Sequence, residues 1–163
     1  MEEIIHIRID DRLIHGQVAA FWSNALKATR IMVINDFVAG DEIQKKVLRM
    51  AAPSGIATSI ITKEKAFHNI MEGKYKGQRV FVILKNPGDI LDLVHQGMPV
   101  KKVNVGNMGA KDNTRQIKKS VHVTGQDEAA FKELMKAGVE LTAQMVPDDP
   151  AEPFEKYFHP GEE

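Results

Sequence analysis

Ile4-Ile5-His6-Ile7-Arg8-Ile9, running directly into Asp10-Asp11-Arg12-Leu13-Ile14-His15-Gly16-Gln17, is the stretch from which the fold can be read. Its isoleucine-rich opening predicts a strand over Ile4–Ile9, the charged residues after it predict a loop, and a helix is expected to begin near Gly16. The same alternation repeats along the chain. Ile31–Ile34, Ala57–Ile61, Arg79–Leu84 and Lys102–Val105 are rich in Ile and Val and read as strands; a short strand near Ser120–Val123 and another at Glu140–Met145 complete the set.

Between these runs the apolar residues fall at helical spacing. Ile43, Val47, Met50 and Ala51 share one face, as do Ala66, Phe67, Ile70 and Met71. Asn86 is placed to cap a helix with Pro87 in its first turn, and Gly73 and Gly97 stand where helices end. Thr124 and Asp127 have the spacing of a capping box before a helix carrying Phe131, Leu134 and Met135, which stops at Gly138. Alternating Val/Ile-rich strands and helices predict an α/β fold: a single domain over residues 1–163, with a mostly parallel sheet of about seven strands and helices on both faces.

Composition narrows the function classes. Apolar residues make up 43% of the 163, enough for a real core, and 22 basic side chains cancel 22 acidic ones. No global field therefore favours nucleic acid or an anionic bilayer. The chain has no cysteine, so thiolate metal sites and disulfides are excluded. The start, Met1-Glu2-Glu3-Ile4, lacks a basic n-region and an apolar h-region, and the longest apolar run is Val80–Leu84. The expectation is a cytoplasmic protein whose contact with a membrane goes through a partner. The segment from Pro147 to Pro153 is proline-rich and acidic, and a short amphipathic piece with Phe154, Tyr157 and Phe158 follows it.

In an open parallel sheet, ligands bind beyond the carboxyl ends of the strands. That edge should carry Asp10 to Gln17, then Asn35 and Asp36, Thr62, Lys85 and Asn86, and Gly106-Asn107-Met108-Gly109. It is polar and suits an anion or a protein surface. Of the six histidines, only His15 falls in a loop at this edge: His6 and His122 lie in strands, His68 and His95 in helices, His159 in the tail. The positive end of the following helix lies beside the imidazole, whose ring nitrogen is a usable nucleophile near neutral pH. Arg12 would neutralise a phosphoryl group there, with Asp10, Gly16, Gln17, Asp36 and Asn107 as the candidate phosphoryl- or substrate-binding residues around it. A bland reading stands beside this one. A lone loop histidine is commonly a solvated surface residue, Arg12 can tie the loop to Asp10 or Asp11, and Asp36 either orients His15 or caps a turn. Lys85 and Asn107 have turn chemistry as their plain alternative. Phe21 reads as core packing, and Trp22 as packing beneath the loop.

The string Arg8-Ile9-Asp10-Asp11-Arg12-Leu13-Ile14-His15-Gly16-Gln17-Val18, with Trp22 after it, resembles the signature of the mannose/fructose/sorbose family of phosphotransferase enzyme IIB subunits. The resemblance continues at Asn35-Asp36, at Asn104-Val105-Gly106-Asn107-Met108 and at Gln144-Met145-Val146-Pro147, and the length matches a free-standing B subunit. It implies that Nδ1 of His15 accepts a phosphoryl group from a histidine of the IIA subunit. His15 would then pass that group to a sugar held by the membrane IIC and IID subunits, with Arg12 as the neutralising arginine. It also implies one antiparallel strand in the sheet, no cofactor and no metal. Asn107, where mannose-branch members carry glycine, is similar to members assigned to N-acetylgalactosamine and related sugars.

Rival readings are weaker. A receiver domain needs an acceptor aspartate after strand three, where Ile61-Thr62 stands. The P-loop pattern is absent, and Gly106 to Gly109 lacks the spacing of a dinucleotide fingerprint. A metal site from Asp10, Asp11, Asp36 and His15 would have Arg12 in its midst. A non-catalytic docking or regulatory module using the same edge is the alternative from a different class.

Overall fold

In the computed structural model, which describes residues 1–158, the chain starts with β1 (Ile4–Asp10), α1 (Gly16–Leu26), β2 (Arg30–Ile34), α2 (Asp36–Ala39), α3 (Glu42–Ala51) and β3 (Ala57–Ile61). It continues with α4 (Lys63–Met71), β4 (Val80–Leu84), α5 (Pro87–Gln96), β5 (Lys102–Asn107), β6 (Arg115–Lys118) and β7 (Val121–Val123). Then come α6 (Gly125–Lys136), β8 (Glu140–Ala143), β9 (Glu152–Pro153) and a 3₁₀ turn at Phe154–Lys156. His159 lies outside the described residues.

The main sheet has seven strands in the order β3-β2-β4-β1-β5-β8-β9. All neighbours are parallel except β9, which runs antiparallel to β8. The α/β class, the mostly parallel sheet and its one antiparallel strand are as expected. The membership of the sheet differs in one respect. The strand expected near Ser120–Val123 is β7, and it pairs with β6 in a separate two-stranded sheet, joined to the end of β5 by a bridge from Val121 to Met108 and by the Ser120 hydroxyl, which donates to Gly106 O at 2.9 Å. The seventh place belongs to β9, whose Pro153 has no N–H to donate and is tolerated at an edge.

Period-two alternation sorts β1 between the two faces. Ile7 and Ile9 join a core formed with Ile70 of α4, Ile90 and Leu93 of α5, and Phe131 and Leu134 of α6. The opposite face is covered by Ala19 and Trp22 of α1, Val38 of α2 and Leu48 of α3. All of Val80–Leu84 is buried, and each such side chain contributes about 1.5–3 kcal/mol. The tail closes the first core: Phe154 and Phe158 pack on Phe131 with ring centroids 4.7 and 5.7 Å away.

Local signals set the helix ends as read. Asn86 Oδ1 accepts from the Asp89 N–H at 2.9 Å, and Thr124 and Asp127 form the capping box, each side chain accepting the other's N–H at 3.0 Å. Two apolar readings turn out otherwise. Phe21 is 50% exposed, because α1 packs through Ala19, Trp22 and Ser23 and Phe21 falls on the opposite side. On α3 the face of Ile43 and Met50 points to solvent, at 77% and 81% exposure, and Leu48 alone is buried.

Candidate functional site

The central strand β1 delivers the loop expected to carry chemistry. At its end the backbone folds into a turn in which the Leu13 N–H donates to Asp10 O at 2.9 Å. Leu13 adopts φ +63, a conformation uncommon outside glycine, and it is held there because Leu13 and Ile14 both bury their side chains beside Trp22. Two apolar anchors in succession leave the next residue, His15, at the surface. His15 is the extended N-cap residue of α1 and makes no side-chain cap bond. Gly16 follows at φ +46, where a side chain would be strained, and Gln17 is exposed beside it. The first intrahelical bond of α1 runs from Ala19 N–H to His15 O, so the N–H groups of Gly16, Gln17 and Val18 face outward at the positive end of the helix.

Arg12 is fixed by Asp10. Its Nε and Nη2 donate to the two carboxylate oxygens at 3.0 and 2.9 Å, and its backbone N–H donates to Oδ1 at 3.1 Å. The hydrogen bond to Asp10 raises the Arg12 guanidinium above its ordinary range, so it is a permanent cation. Its side chain remains about one-third open to solvent (31%) on the loop that carries His15. The Asp10–Arg12 tie is thus present as a fork, and among the described residues it leaves the Nη1 end of the guanidinium unspent.

The other candidates are anchored to different partners. Asp11 accepts from Asn107 Nδ2 at 2.9 Å and from the Gly109 N–H at 2.7 Å, clasping the β5 end to the β1 loop. Asn107 enters the edge through that clasp. Asp36 accepts from the backbone N–H of Lys63 at 2.8 Å, at the start of α4; the turn at the end of β2 is capped by Asn35, whose side chain accepts from Val38 N–H. Lys63 Nζ lies 2.6 Å from Asp92 and 3.2 Å from Asp89. Lys85, at the end of β4, is half-buried. The acidic residues at this edge therefore act as separate tethers for separate loops.

Of the residues that floor the site, the sequence placed Trp22 but gave His6 and Arg8 no role. Trp22 does pack beneath the loop, stacking on His6 at 4.5 Å and donating from Nε1 to Met145 O at 3.0 Å. Arg8 lies beside it, 1% exposed. The signal was available: His6, Arg8 and Asp10 alternate with Ile7 and Ile9, which puts three polar side chains on one face of a strand covered on both sides.

The family described as "PTS system sorbose subfamily IIB component" matches residues 4–162. The N-acetylgalactosamine-specific phosphotransferase enzyme IIB component 2 of Escherichia coli is 42% identical over 151 residues, covering 93% of this chain and 96% of that protein. The mannose-specific EIIAB component of the same species is 39% identical over 143 residues, covering 88% of this chain and 44% of the longer protein. The crystal structure of the IIBSor domain of the sorbose permease from Klebsiella pneumoniae superposes with a TM-score of 0.89 at 39% identity, covering 94% of each chain.

Proposed function

We propose a role for His15 from one premise: this chain belongs to the sorbose subfamily of phosphotransferase-system IIB components, sugar phosphotransferases that carry a phosphoryl group during sugar uptake. His15 accepts the group on Nδ1 from a phosphohistidine of the IIA subunit, the donor's N–P bond breaking as the His15 N–P bond forms. In the second step that bond breaks as a P–O bond forms to a hydroxyl of the sugar held by the membrane IIC and IID subunits, and the hydroxyl loses its proton. The observation that supports this reading most is the placement of His15, exposed at the N-terminus of α1 with its ring uncommitted to a cap. A phosphoryl group there meets the outward N–H groups of Gly16 and Gln17 and the free end of Arg12. Transfer passes through a loose, charge-spread transition state, so position and positive potential are what the protein supplies. Asp10 holds Arg12, while Asp36 and Asn107 shape the edge through the loops they anchor.

The relative that unites A and B parts in one chain supports IIA as the donor. No helix among the described residues is long and apolar enough to cross a membrane. We place the chain on the cytoplasmic side, peripheral to the membrane through IIC and IID, as one domain over 1–163. The sugar we propose is N-acetylgalactosamine or a related hexosamine or hexose. Relatives named for N-acetylgalactosamine, mannose and sorbose stand within 39–42% identity, so this choice rests on Asn107 alone. Incubation with phosphoenolpyruvate, the general phosphotransferase proteins and IIA tests the carrier role: an acid-labile phosphate is expected, and its absence would leave the docking-module reading in its place.

A further inference from the structure

Arg8 occupies the middle of the sheet, on the β1 face beneath α1, where an unpaired charge is costly and an apolar side chain would pack without that cost. Its partners are unusually spread. Nη1 donates to Asn104 Oδ1 on β5 at 2.6 Å and to Gln144 O beyond β8 at 2.9 Å. Nη2 donates to Asp10 Oδ2 at 3.4 Å and reaches Met145 Sδ at 3.6 Å. The guanidinium carbon lies 5.2 Å from the Trp22 ring centroid. The β1–β5 register skips Gly106, and a Cβ there would stand 2.2 Å from Arg8 Cζ, so the sheet is built around this side chain. Burial pulls Arg8 down to about 10, against the opposing pull of Asp10, and it is a cation at neutral pH.

The contact with Asp10 carries the inference. Asp10 Oδ2 receives Arg8 from inside and Arg12 from the solvent side. Arg12 and Asp10 alone would make a closed, neutral pair. With Arg8 behind the carboxylate, two cations share the one anion of Asp10; Asp11, whose charge also acts on Arg12, is held by Asn107 and the Gly109 N–H, and the Nη1 group of Arg12 is uncommitted among the described residues. We infer that Arg8 is a positioning residue for phosphoryl transfer: it fixes Asp10 so that Arg12 presents a set orientation beside His15. This rests on the carrier reading of His15. It deepens that reading by adding a buried residue that acts only through another.

The test is single-turnover transfer from phosphorylated IIA to the full chain. Labelling of the wild-type protein at His15 comes first; its failure would overturn the carrier reading, and this inference with it. Arg8→Met is then expected to slow transfer about 10- to 100-fold, as loss of a residue that orients a ligand from behind does, with Arg8→Lys restoring part of the rate. In an Arg12→Ala background the same Arg8→Met change should cost less than about twofold, since its effect runs through Arg12. A folded Arg8→Met protein with the wild-type rate would overturn the inference. So would a loss of undiminished size in the Arg12→Ala background, which would mark Arg8 as a fold staple. Urea unfolding establishes that the variants are folded. If Arg8→Met does not fold, Asn104→Ala removes the 2.6 Å anchor, together with the Asn104 Nδ2 bond to Gln144 O at 3.1 Å: about a threefold loss is expected, again absent without Arg12, and undiminished loss there again overturns the inference.

Discussion

Two ionic clusters stand along the same edge of the sheet, and they are built on opposite plans. In one, Arg8 and Arg12 share the single carboxylate of Asp10, whose side chain is 2% exposed. In the other, Lys63 serves three carboxylates, Asp36, Asp89 and Asp92, the last of them 53% exposed. The first has two cations on one buried carboxylate and fixed, forked geometry. The second has a surplus of negative charge and an ammonium at its centre, with two of its three carboxylates open to solvent. Burial holds the Asp89 carboxyl above the ordinary carboxylate range, while Lys63 pulls it back down. The difference teaches that charge count at a ligand edge says little. What suits the first cluster to the phosphoryl-binding role proposed for it is that its cation is planar, held at both ends of a carboxylate and backed by a second cation.

The contrast can be broken at its strongest point first. Arg12→Lys keeps the charge but loses the fork, and single-turnover transfer from IIA should fall about 10²-fold, comparable to losing an oriented oxyanion donor. An unchanged rate would make Arg12 a tether of the same kind as Lys63.

A second effect belongs to the floor beneath the first cluster. His6 is drawn from 6.5 to about 4, chiefly because burial disfavours the imidazolium, with Arg8 and Lys102 adding to it and a neighbouring Asn104 amide opposing. The unfolded chain binds that proton near 6.5 and the folded chain does not. Stability from this residue is therefore full above that value and is lost as the pH falls towards 4. Between pH 7 and pH 5 the loss should be about 2 kcal/mol in urea unfolding. His6→Phe, which keeps an aromatic ring against Trp22, should flatten the profile there; an equally steep profile would show that other groups carry it. The smallest effect belongs to the second cluster: Lys63→Ala should cost about 1 kcal/mol or less, fading with added salt, and leave transfer within about twofold. A loss of transfer matching that of Arg12→Lys would erase the distinction between the clusters.

Much of this was legible in the residues because the deciding signals are local. Asn86, Thr124 with Asp127, and the Ile/Val runs act over a few positions, and they set the helix starts and strands where the chain places them. The polar loop after β1 likewise announced His15 and Arg12. What stayed hidden depends on which part of a face a distant segment covers. β9 is two residues long and exists only by pairing with β8; β6, reading Arg-Gln-Ile-Lys, has no apolar alternation to reveal it. The helical face of Ile43, Val47 and Met50 was seen, but nothing in its spacing says that it meets solvent. Phe21 was decidable: counting three and four from Ala19 gives Trp22 and Ser23, which leaves Phe21 on the far side. Arg8 stands within the loop's signature, yet apart from Asp10 and Trp22 its partners come from β5 and from beyond β8, far away in sequence.

His15 is the proposed phosphoryl carrier, and the most direct measurement is phosphate stoichiometry on wild-type and His15→Ala protein after incubation with phosphoenolpyruvate, the general phosphotransferase proteins and IIA. A loop side chain this exposed contributes little burial, so the variant should unfold in urea much as the wild type does. The wild type should gain one acid-labile phosphate per chain, mapped to His15 Nδ1, and the variant none. Full phosphorylation of a folded His15→Ala protein would contradict the account.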